Sequence, residues 1–349
     1  MDRATLERRI GAGEPLEEPA LKGAQLAGAA LRKGVFLRAD LSGADLSGAD
    51  LEGCAFVECR MDGANLAAAR LGLATLHRCR LPGARLAGAR ASSATFSESS
   101  LAGVEATGAG LELARFVKCD LGDGAFGGAR LEQASFVECR FGAADLREAA
   151  LGQTVFYKAG LAATVFGTPA ADRCVFAECD LAGQDFSGAT WLRTQFMGAR
   201  LAHARFGRAR LTGSNFKGAE LAGADFSGAD AVHTLWVEAT ADGARFDAAR
   251  LTQSVWIGAR ADGASFRGAT LNEAVLQRAA LRRCDFAGAD LSYADLSNAD
   301  LGGSGFDGAR MHRASLRGVA TESASMPNRN QAAPDDEDTL AAERWQPAI

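Results

Sequence analysis

The sequence has little of what enzymes rely on. Only four histidines and two tyrosines occur in 349 residues. The four histidines are scattered, and none lies near a cysteine or serine in a recognisable catalytic pattern. A phosphate-binding loop, a GxSxG motif and an HExxH motif are all missing from the sequence. These absences predict a protein that is not an enzyme and that uses no metal, no cofactor and no small-molecule substrate.

Long hydrophobic runs are also missing. No stretch approaches the roughly 18 uncharged apolar residues of a membrane-spanning helix, and the charged residues 1–10 do not form a signal peptide. The eight cysteines follow neither a metal-binding spacing nor a compact disulfide spacing, which suits a reducing compartment. The sequence therefore predicts a cytoplasmic protein without a membrane span.

What the sequence does contain is a repeat of five residues. An apolar residue stands at every fifth position from Leu21 to Leu316, and the register never slips. These 60 positions hold 30 Leu, 19 Phe, 6 Ala, 3 Trp and 2 Met, so every phenylalanine of the chain lies on the register. A small residue nearly always stands two positions earlier, and glycine is common two positions later. A period of five fits neither an α-helix nor a flat strand.

The segment ADLSGADLSGADL, residues 39–51, resembles the pentapeptide-repeat family, whose motif is Ala-(Asp/Asn)-Leu-X-X. The resemblance covers about residues 19–321. It implies an all-β solenoid, a right-handed quadrilateral β-helix in which four pentapeptides form one coil. The central Leu or Phe, with the small residue two positions earlier, would point inward, and the other three positions would face outward.

The aromatic residues independently support four pentapeptides per coil. Every fourth central residue, counted from Phe36, belongs to one column that is mostly aromatic, and we call this side face 4. A second column, which starts at Leu26 and defines face 2, holds nine Phe from Phe126 to Phe306. The columns between them define faces 1 and 3 and are mostly Leu. Aromatic residues would not sort with a period of 20 unless they stack, so we expect about 15 four-sided coils.

The repeat divides the chain into three predicted regions. Residues 1–18 form a capping helix and a linker, with Asp2 as N-cap and with Leu6 and Ile10 on one face. Residues 19–321 form the β-helix. Residues 322–349 form a disordered acidic tail, because Ser, Asn, Pro and acidic residues dominate it. A short helix is possible over Thr339–Trp345, where Trp345 would either bind a partner or cap the last coil.

Face 4 has an apolar exterior, whereas the outward positions of the other three faces are often charged. One interpretation is strand propensity, since β-branched residues favour regular strands. The other is a binding surface for a partner or a second copy, since exposed apolar patches commonly mark interaction sites. The predicted protein-binding residues are Val57, Val117, Val137, Tyr157, Met197, Val237, Ile257 and, in the tail, Trp345.

Two further columns have structural interpretations. Two residues after each central residue of face 4, charges alternate from Arg38 and Glu58 to Lys158 and Glu178, which predicts a ladder of surface ion pairs. The next position along the chain is often cysteine, and there we expect small buried residues that are interchangeable with Ala and Ser. These cysteines are Cys59, Cys79, Cys119, Cys139 and Cys179.

The charge balance separates the possible functions. Some pentapeptide-repeat proteins bind DNA gyrase by mimicking DNA, which requires an acidic surface. Residues 21–321 carry 33 basic and 32 acidic side chains, so this repeat region is a poor mimic of DNA and is not basic enough to favour nucleic-acid binding. Local acidic stripes, such as Asp40, Asp45 and Asp50, keep the gyrase alternative open. The entry "GEPLEEPALKGAQLAGA" is similar to modules of bacterial type VI secretion, which implies an accessory or chaperone role as another alternative. A non-enzymatic scaffold or adaptor that binds a protein along face 4 is the favoured prediction.

Overall fold

The computed structural model describes residues 1–334, and the chain divides into two compact units, Met1–Asp180 and Leu181–Ile349. We call them unit 1 and unit 2. In both units parallel bridges join a residue to the residue 20 positions later, for example Asp40 to Arg60 and Asp225 to Arg245. One coil therefore consists of four pentapeptides, and the predicted all-β solenoid is confirmed.

Unit 1 begins with the predicted helix α1, Arg3–Gly11. The Asp2 side chain accepts a hydrogen bond from the Thr5 amide at 2.8 Å, as an N-cap should. The helix buries the side chains of its own residues Leu6 and Ile10. Arg3 donates to the carbonyl oxygens of Ala27 and Gly28 at 2.9 and 2.8 Å. The helix thus covers the open backbone edge of the first coil.

One side of unit 1 forms a parallel sheet of nine short strands in the order β1 to β8 followed by β10. The central residues of its strands stack in register, as in Phe36↔Phe56 and Phe136↔Phe156. The strands of unit 1, including β9 outside this sheet, are β1 Leu16–Glu17, β2 Val35–Leu37, β3 Ala55–Val57, β4 Thr75–His77, β5 Thr95–Ser97, β6 Arg115–Val117, β7 Ser135–Val137, β8 Val155–Tyr157, β9 Ala170–Asp172 and β10 Val175–Ala177.

The described part of unit 2, residues 181–334, contains one strand, β11 Thr190–Leu192, and a 3-10 helix at Arg329–Gln331. Its coils are otherwise held by single parallel bridges with the same 20-residue register, which continue to Gly305↔Ser325. The continuous sheet therefore contains nine strands, whereas about fifteen coils were expected from the sequence. On face 4 of unit 2, corners close with a backbone hydrogen bond over three residues, such as Ala219 N to Phe216 O at 3.0 Å, as most corners on the other three faces of unit 1 also do.

Nearly every corner has a residue with positive φ two positions after the central residue, although Gly142 and Gly167 take this conformation one position after it. Glycine adopts this conformation without strain, which explains why it is frequent there, as at Gly43 with φ 63°. Charged residues occupy the same conformation along face 4 of unit 1, for example Glu58 with φ 55° and Arg78 with φ 52°.

The interior of each unit is filled by stacked side chains. In unit 1, Phe116 and Phe136 stack with ring centroids 4.7 Å apart. In unit 2, Trp236 stacks on Trp256 at 4.7 Å. A second column in unit 2, on face 2, meets the first edge-on, as in Phe226 against Trp236 at 5.0 Å and 90°. The sorting of aromatic residues with a period of 20 therefore reflects direct stacking, as predicted.

The prediction of disorder from residue 322 is wrong for residues 322–334. Asn328 donates from its side chain to the Ala309 carbonyl at 2.9 Å, and Gln331 accepts from the Arg313 amide at 2.9 Å. The Ala333 amide donates to Ala314 at 2.9 Å. These polar residues satisfy backbone groups that the last coil would leave open, so they are ordered. The predicted helix at Thr339–Trp345 lies outside the described residues.

Candidate functional site

The candidate site is face 4 of unit 1, the outer surface of the nine-stranded sheet. Strands of three residues place the central residue inside and its two neighbours outside. In β7, Phe136 is buried, while Ser135 and Val137 are half-buried on the outer surface. Because the strands pair in register, the outward residues form two rows that run across the sheet.

Three of the predicted residues form one group. Val117 stands beside Val137, and Val137 beside Tyr157, on the adjacent strands β6, β7 and β8. Val155 and Val175, in the other row, are also neighbours on β8 and β10. Lys158 places its ammonium nitrogen 5.1 Å from the centre of the Tyr157 ring, within the range of a cation–π contact. The structure therefore forms an apolar patch at this end of the sheet.

Val57 is separated from this patch. It pairs with Leu37 on one side and with His77 on the other. His77 is hydrogen-bonded through Nδ1 to the Ser97 hydroxyl at 2.9 Å, and this polar pair lies between Val57 and Val117. The predicted stripe is interrupted in unit 1, because His77 and Ser97 separate Val57 from Val117 in the same row of the sheet.

The predicted residues of unit 2 lie in turns rather than in strands. Met197 is 40% exposed, and Val237 and Ile257 are half-buried in consecutive coils. Beside them, Leu235 is 39% exposed and bridges to Val255, which bridges to Val275. These three residues were not among the predicted contacts, although their place one position before the central residue would have identified them. Trp345 lies outside the described residues.

The alternating charges beside face 4 form separate pairs. Ion pairs join Arg78 to Glu98 at 2.9 Å, Lys118 to Glu138 at 3.9 Å and Lys158 to Glu178 at 3.5 Å. The Arg78 side chain lowers the pKa of Glu98, and Glu98 raises the pKa of Arg78. All these side chains are about half exposed, so solvent screens the pairs and they contribute little to stability. The predicted ladder is therefore present as three separate pairs. Its first predicted pair does not form, because Arg38 binds Glu17 and Glu18 rather than Glu58.

Comparison with known families decides what kind of chain this is. The model "Pentapeptide repeats (8 copies)" matches residues 21–56, 59–97, 84–123, 126–161, 257–288 and 284–319, and "Pentapeptide repeat region" matches residues 170–246. The chain belongs to the pentapeptide-repeat family. No curated protein matches the sequence of this pentapeptide-repeat protein.

Two solved structures illustrate the likeness. HetL, a pentapeptide repeat protein involved in heterocyst differentiation regulation from the cyanobacterium Nostoc, is 19% identical, with a TM-score of 0.23. The match covers 91% of this chain and 98% of HetL. Full-length QnrB1, a plasmid-mediated fluoroquinolone resistance protein, is 20% identical, with a TM-score of 0.23, and the match covers 64% of this chain and 96% of QnrB1.

The cysteines of this pentapeptide-repeat protein are all buried and free. Burial raises the pKa of Cys54, Cys174, Cys179 and Cys284 to about 12. A thiol with such a pKa is a poor nucleophile at neutral pH. Within residues 1–334, no group of three His, Cys, Asp or Glu side chains could hold a metal ion. Over the same residues no helix has both the length and the apolar character needed to cross a bilayer.

The cysteines along face 4 of unit 1 have a structural task that the sequence did not reveal. Each accepts the backbone N–H of the residue 20 positions earlier, so that the Ser99 amide donates to the Cys119 sulfur. The Cys119 thiol in turn donates to the Phe96 carbonyl at 3.4 Å. Ser99 acts in the same way, since its hydroxyl accepts the Cys79 amide at 3.0 Å. These corners lack the usual backbone hydrogen bond over three residues, and the side chain replaces it.

Proposed function

We propose that this protein is a non-enzymatic scaffold that binds a protein partner along face 4 of unit 1. The observation that carries the proposal is the patch of Val117, Val137 and Tyr157 with Val155 and Val175, contiguous across three adjacent pairs of parallel strands. Strand propensity accounts for the valines. Strands favour tyrosine as well, but the ring of Tyr157 also offers a large apolar surface with a polar end that suits a protein interface.

The pairing of acidic with basic side chains supports a scaffold rather than a DNA mimic. Many acidic residues that could imitate phosphates are paired with arginine within the chain. Arg282 binds Asp262 at 2.8 Å, and Arg205 binds Asp185 at 2.7 Å. Neutralised carboxylates give little of the uniform negative potential that a nucleic-acid-binding partner requires.

The buried thiols also support a proposal about the cellular compartment. The cysteine S–H groups along face 4 donate to backbone carbonyl oxygens, as Cys139 does to Phe116 at 3.4 Å, and only a reduced thiol can do this. We therefore propose a reducing compartment, the cytoplasm, as the place of action. Met197, Val237 and Ile257 in unit 2, together with Trp345, remain predicted additional contacts.

The test compares two lysine variants. Val137→Lys places a charge in the middle of the patch, and Ala102→Lys places the same charge at the equivalent pentapeptide position on face 1. Both change an outward residue, so circular dichroism should match the wild type. Each protein is used to capture partners from a lysate of the native organism, followed by mass spectrometry. We expect wild type and Ala102→Lys to retain a protein that Val137→Lys loses. Equal capture by all three proteins would overturn the proposal.

A further inference from the structure

Unit 1 carries the same order of charge on three of its four faces. In the position just before the central residue, three consecutive coils show Asp, then a middle residue, then Arg. Parallel bridges join each set directly. The sets are Asp40, Arg60 and Arg80 on face 1, Asp45, Asn65 and Arg85 on face 2, and Asp50, Arg70 and Arg90 on face 3. We call Asp40, Asp45 and Asp50 the acidic belt, and Arg80, Arg85 and Arg90 the basic belt.

The basic belt is poorly neutralised. Arg70 bridges directly to Arg90, and like charges that face each other across a sheet are destabilising. Among residues 1–334, the side chains of Arg85 and Arg90 form no ion pair or hydrogen bond, whereas Arg80 reaches Asp62 at 3.2 Å. The fold itself does not require this arrangement, since Ser100, Ala125 and Gly160 occupy the same pentapeptide position elsewhere in unit 1.

The carboxylates of the acidic belt also retain oxygen atoms that could bind a positive group. The Oδ1 atom of Asp40 accepts the Ser42 amide at 3.1 Å, and Oδ1 of Asp45 accepts the Ser47 amide at 3.1 Å. The Asn65 side chain donates to the same Oδ1 of Asp45 at 2.9 Å. Within the described chain, the second oxygen of Asp45 is therefore available to a positive group from outside.

Face 2 between the belts is smooth. The two outward residues after each central residue are small in five consecutive coils, so nothing larger than threonine projects there. A flat surface could approach the backbone closely at these positions. The residues are Ala27, Ser47, Ala67, Ala87 and Thr107, followed by Gly28, Gly48, Ala68, Gly88 and Gly108.

We propose that two copies of this chain pair face 2 against face 2 in antiparallel orientation, about a two-fold axis that passes beside Asn65. A two-fold interface requires that residue i contacts residue j while j contacts i. About this axis Asp45 of each copy meets Arg85 of the other, and Gln25 meets Glu105. At the two edges of the interface, Asp40 of one copy lies opposite Arg80 of the other, and Asp50 lies opposite Arg90. A parallel pairing would instead set Asp45 against Asp45, so the order of charges selects the antiparallel one.

The size of the patch sets the strength of the dimer. Four coil steps separate Gln25 from Glu105, about 19 Å at the strand spacing of about 4.8 Å, and a face of three residues is about 10 Å wide. The patch covers roughly 200 to 300 Å² per copy, well below the 800 Å² of a standard stable interface. The dimer is therefore weak and salt-sensitive, since charge pairs provide most of its attraction.

Charge reversal tests the proposal directly. We would measure the mass of Asp45→Arg and Arg85→Asp by sedimentation equilibrium over a concentration series, each alone and as an equimolar mixture. Each variant alone sets two pairs of like charges against each other, so its dissociation constant should rise at least tenfold over wild type. In the mixture both contacts become attractive, and dimers should return. The double variant should also dimerise. An effect within one molecule could not be restored by mixing.

Several outcomes would overturn the pairing. They are a wild type that stays monomeric at the highest soluble concentration, single variants that associate like wild type, and a mixture that stays monomeric. The last outcome would instead favour a partner of opposite charge on one belt. If Asp45→Arg fails to fold, Ala67→Arg supplies an independent disruption, because it places charge and bulk beside the axis and leaves the Asp45 hydrogen bonds intact. Val137→Lys, on face 4, should keep the dimer, which separates this test from that of the proposed function.

Discussion

Replacing Cys119 by alanine should destabilise the protein more than the loss of one sulfur atom explains. The Ser99 amide donates to the Cys119 sulfur, and Ser99 is only 2% exposed. Alanine would leave this buried N–H without an acceptor. A buried donor that loses its partner costs about 1–3 kcal/mol, in addition to the cost of the small cavity. At about 2–4 °C per kcal/mol, the additional fall in the melting temperature is about 2–12 °C.

Cys54→Ala is the matched control. Cys54 is as deeply buried as Cys119, and its sulfur donates to the Leu31 carbonyl at 2.9 Å. The amides nearest its sulfur have backbone acceptors of their own, since Gly34 donates to Leu31 at 3.0 Å and Lys33 to Glu52 at 2.9 Å. This substitution removes the same atom and leaves no orphaned donor. It should therefore show the cavity cost alone.

Cys119→Ser completes the experiment. A hydroxyl already performs this task at Ser99, so serine at position 119 should recover most of the stability that alanine loses. Thermal unfolding of the four proteins measures the order, and hydrogen exchange of the peptide that contains Ser99 locates the effect. Equal losses for Cys119→Ala and Cys54→Ala, or a serine variant less stable than the alanine variant, would refute the reasoning.

Three further predictions concern the packed interior, the stability at acidic pH and the first coil. Phe136→Ala should cost about 3–5 kcal/mol in denaturant unfolding, because the buried ring stacks on neighbours at 4.7 and 5.1 Å; a loss below 1 kcal/mol would contradict the packing. The Ser187 and Arg205 side chains lower the pKa of Asp185 from 3.8 to about 2, so its contribution is present above pH 3.8 and is lost as the pH falls through 2. Melting curves over this range should therefore fall more steeply for wild type than for Arg205→Gln, and parallel curves would count against the pairing. Leu6→Ala should cost about 2–5 kcal/mol and increase hydrogen exchange of the first coil, since Leu6 is fully buried beneath α1; unchanged exchange would show that the helix does not protect that coil.

The repeat made the interior predictable. A register that never slips fixes which residue points inward, and the aromatic columns stack as their spacing required, as in Phe36 on Phe56 and Phe206 on Phe226. Helix α1 was also predictable, because the Asp2 cap and the spacing of Leu6 and Ile10 are local signals.

The surface was less predictable, because outward side chains depend on neighbours one coil away. The interruption of the face 4 stripe by the His77–Ser97 hydrogen bond needs the strand register as well as the composition. The role of the cysteine column depends on which corners lack a backbone hydrogen bond, and that difference between unit 1 and unit 2 is not visible in the pentapeptide motif. The cap at Asn328 was missed because polar composition was interpreted as disorder, although polar side chains are what an open backbone edge requires.

The fixed spacing of 20 residues per coil also limits which changes in chain length preserve the structure. Within unit 1, losing 20 residues removes one whole coil and leaves every remaining column aligned, as the pairing of Phe96 with Phe116 illustrates. An insertion of five residues would keep the interior apolar but would turn all later residues of the unit by a quarter of a circuit. Val137 would then lie on face 1, whose central residues in unit 1 are mostly leucine. Changes in steps of 20 therefore preserve a surface, whereas steps of five move it to another side.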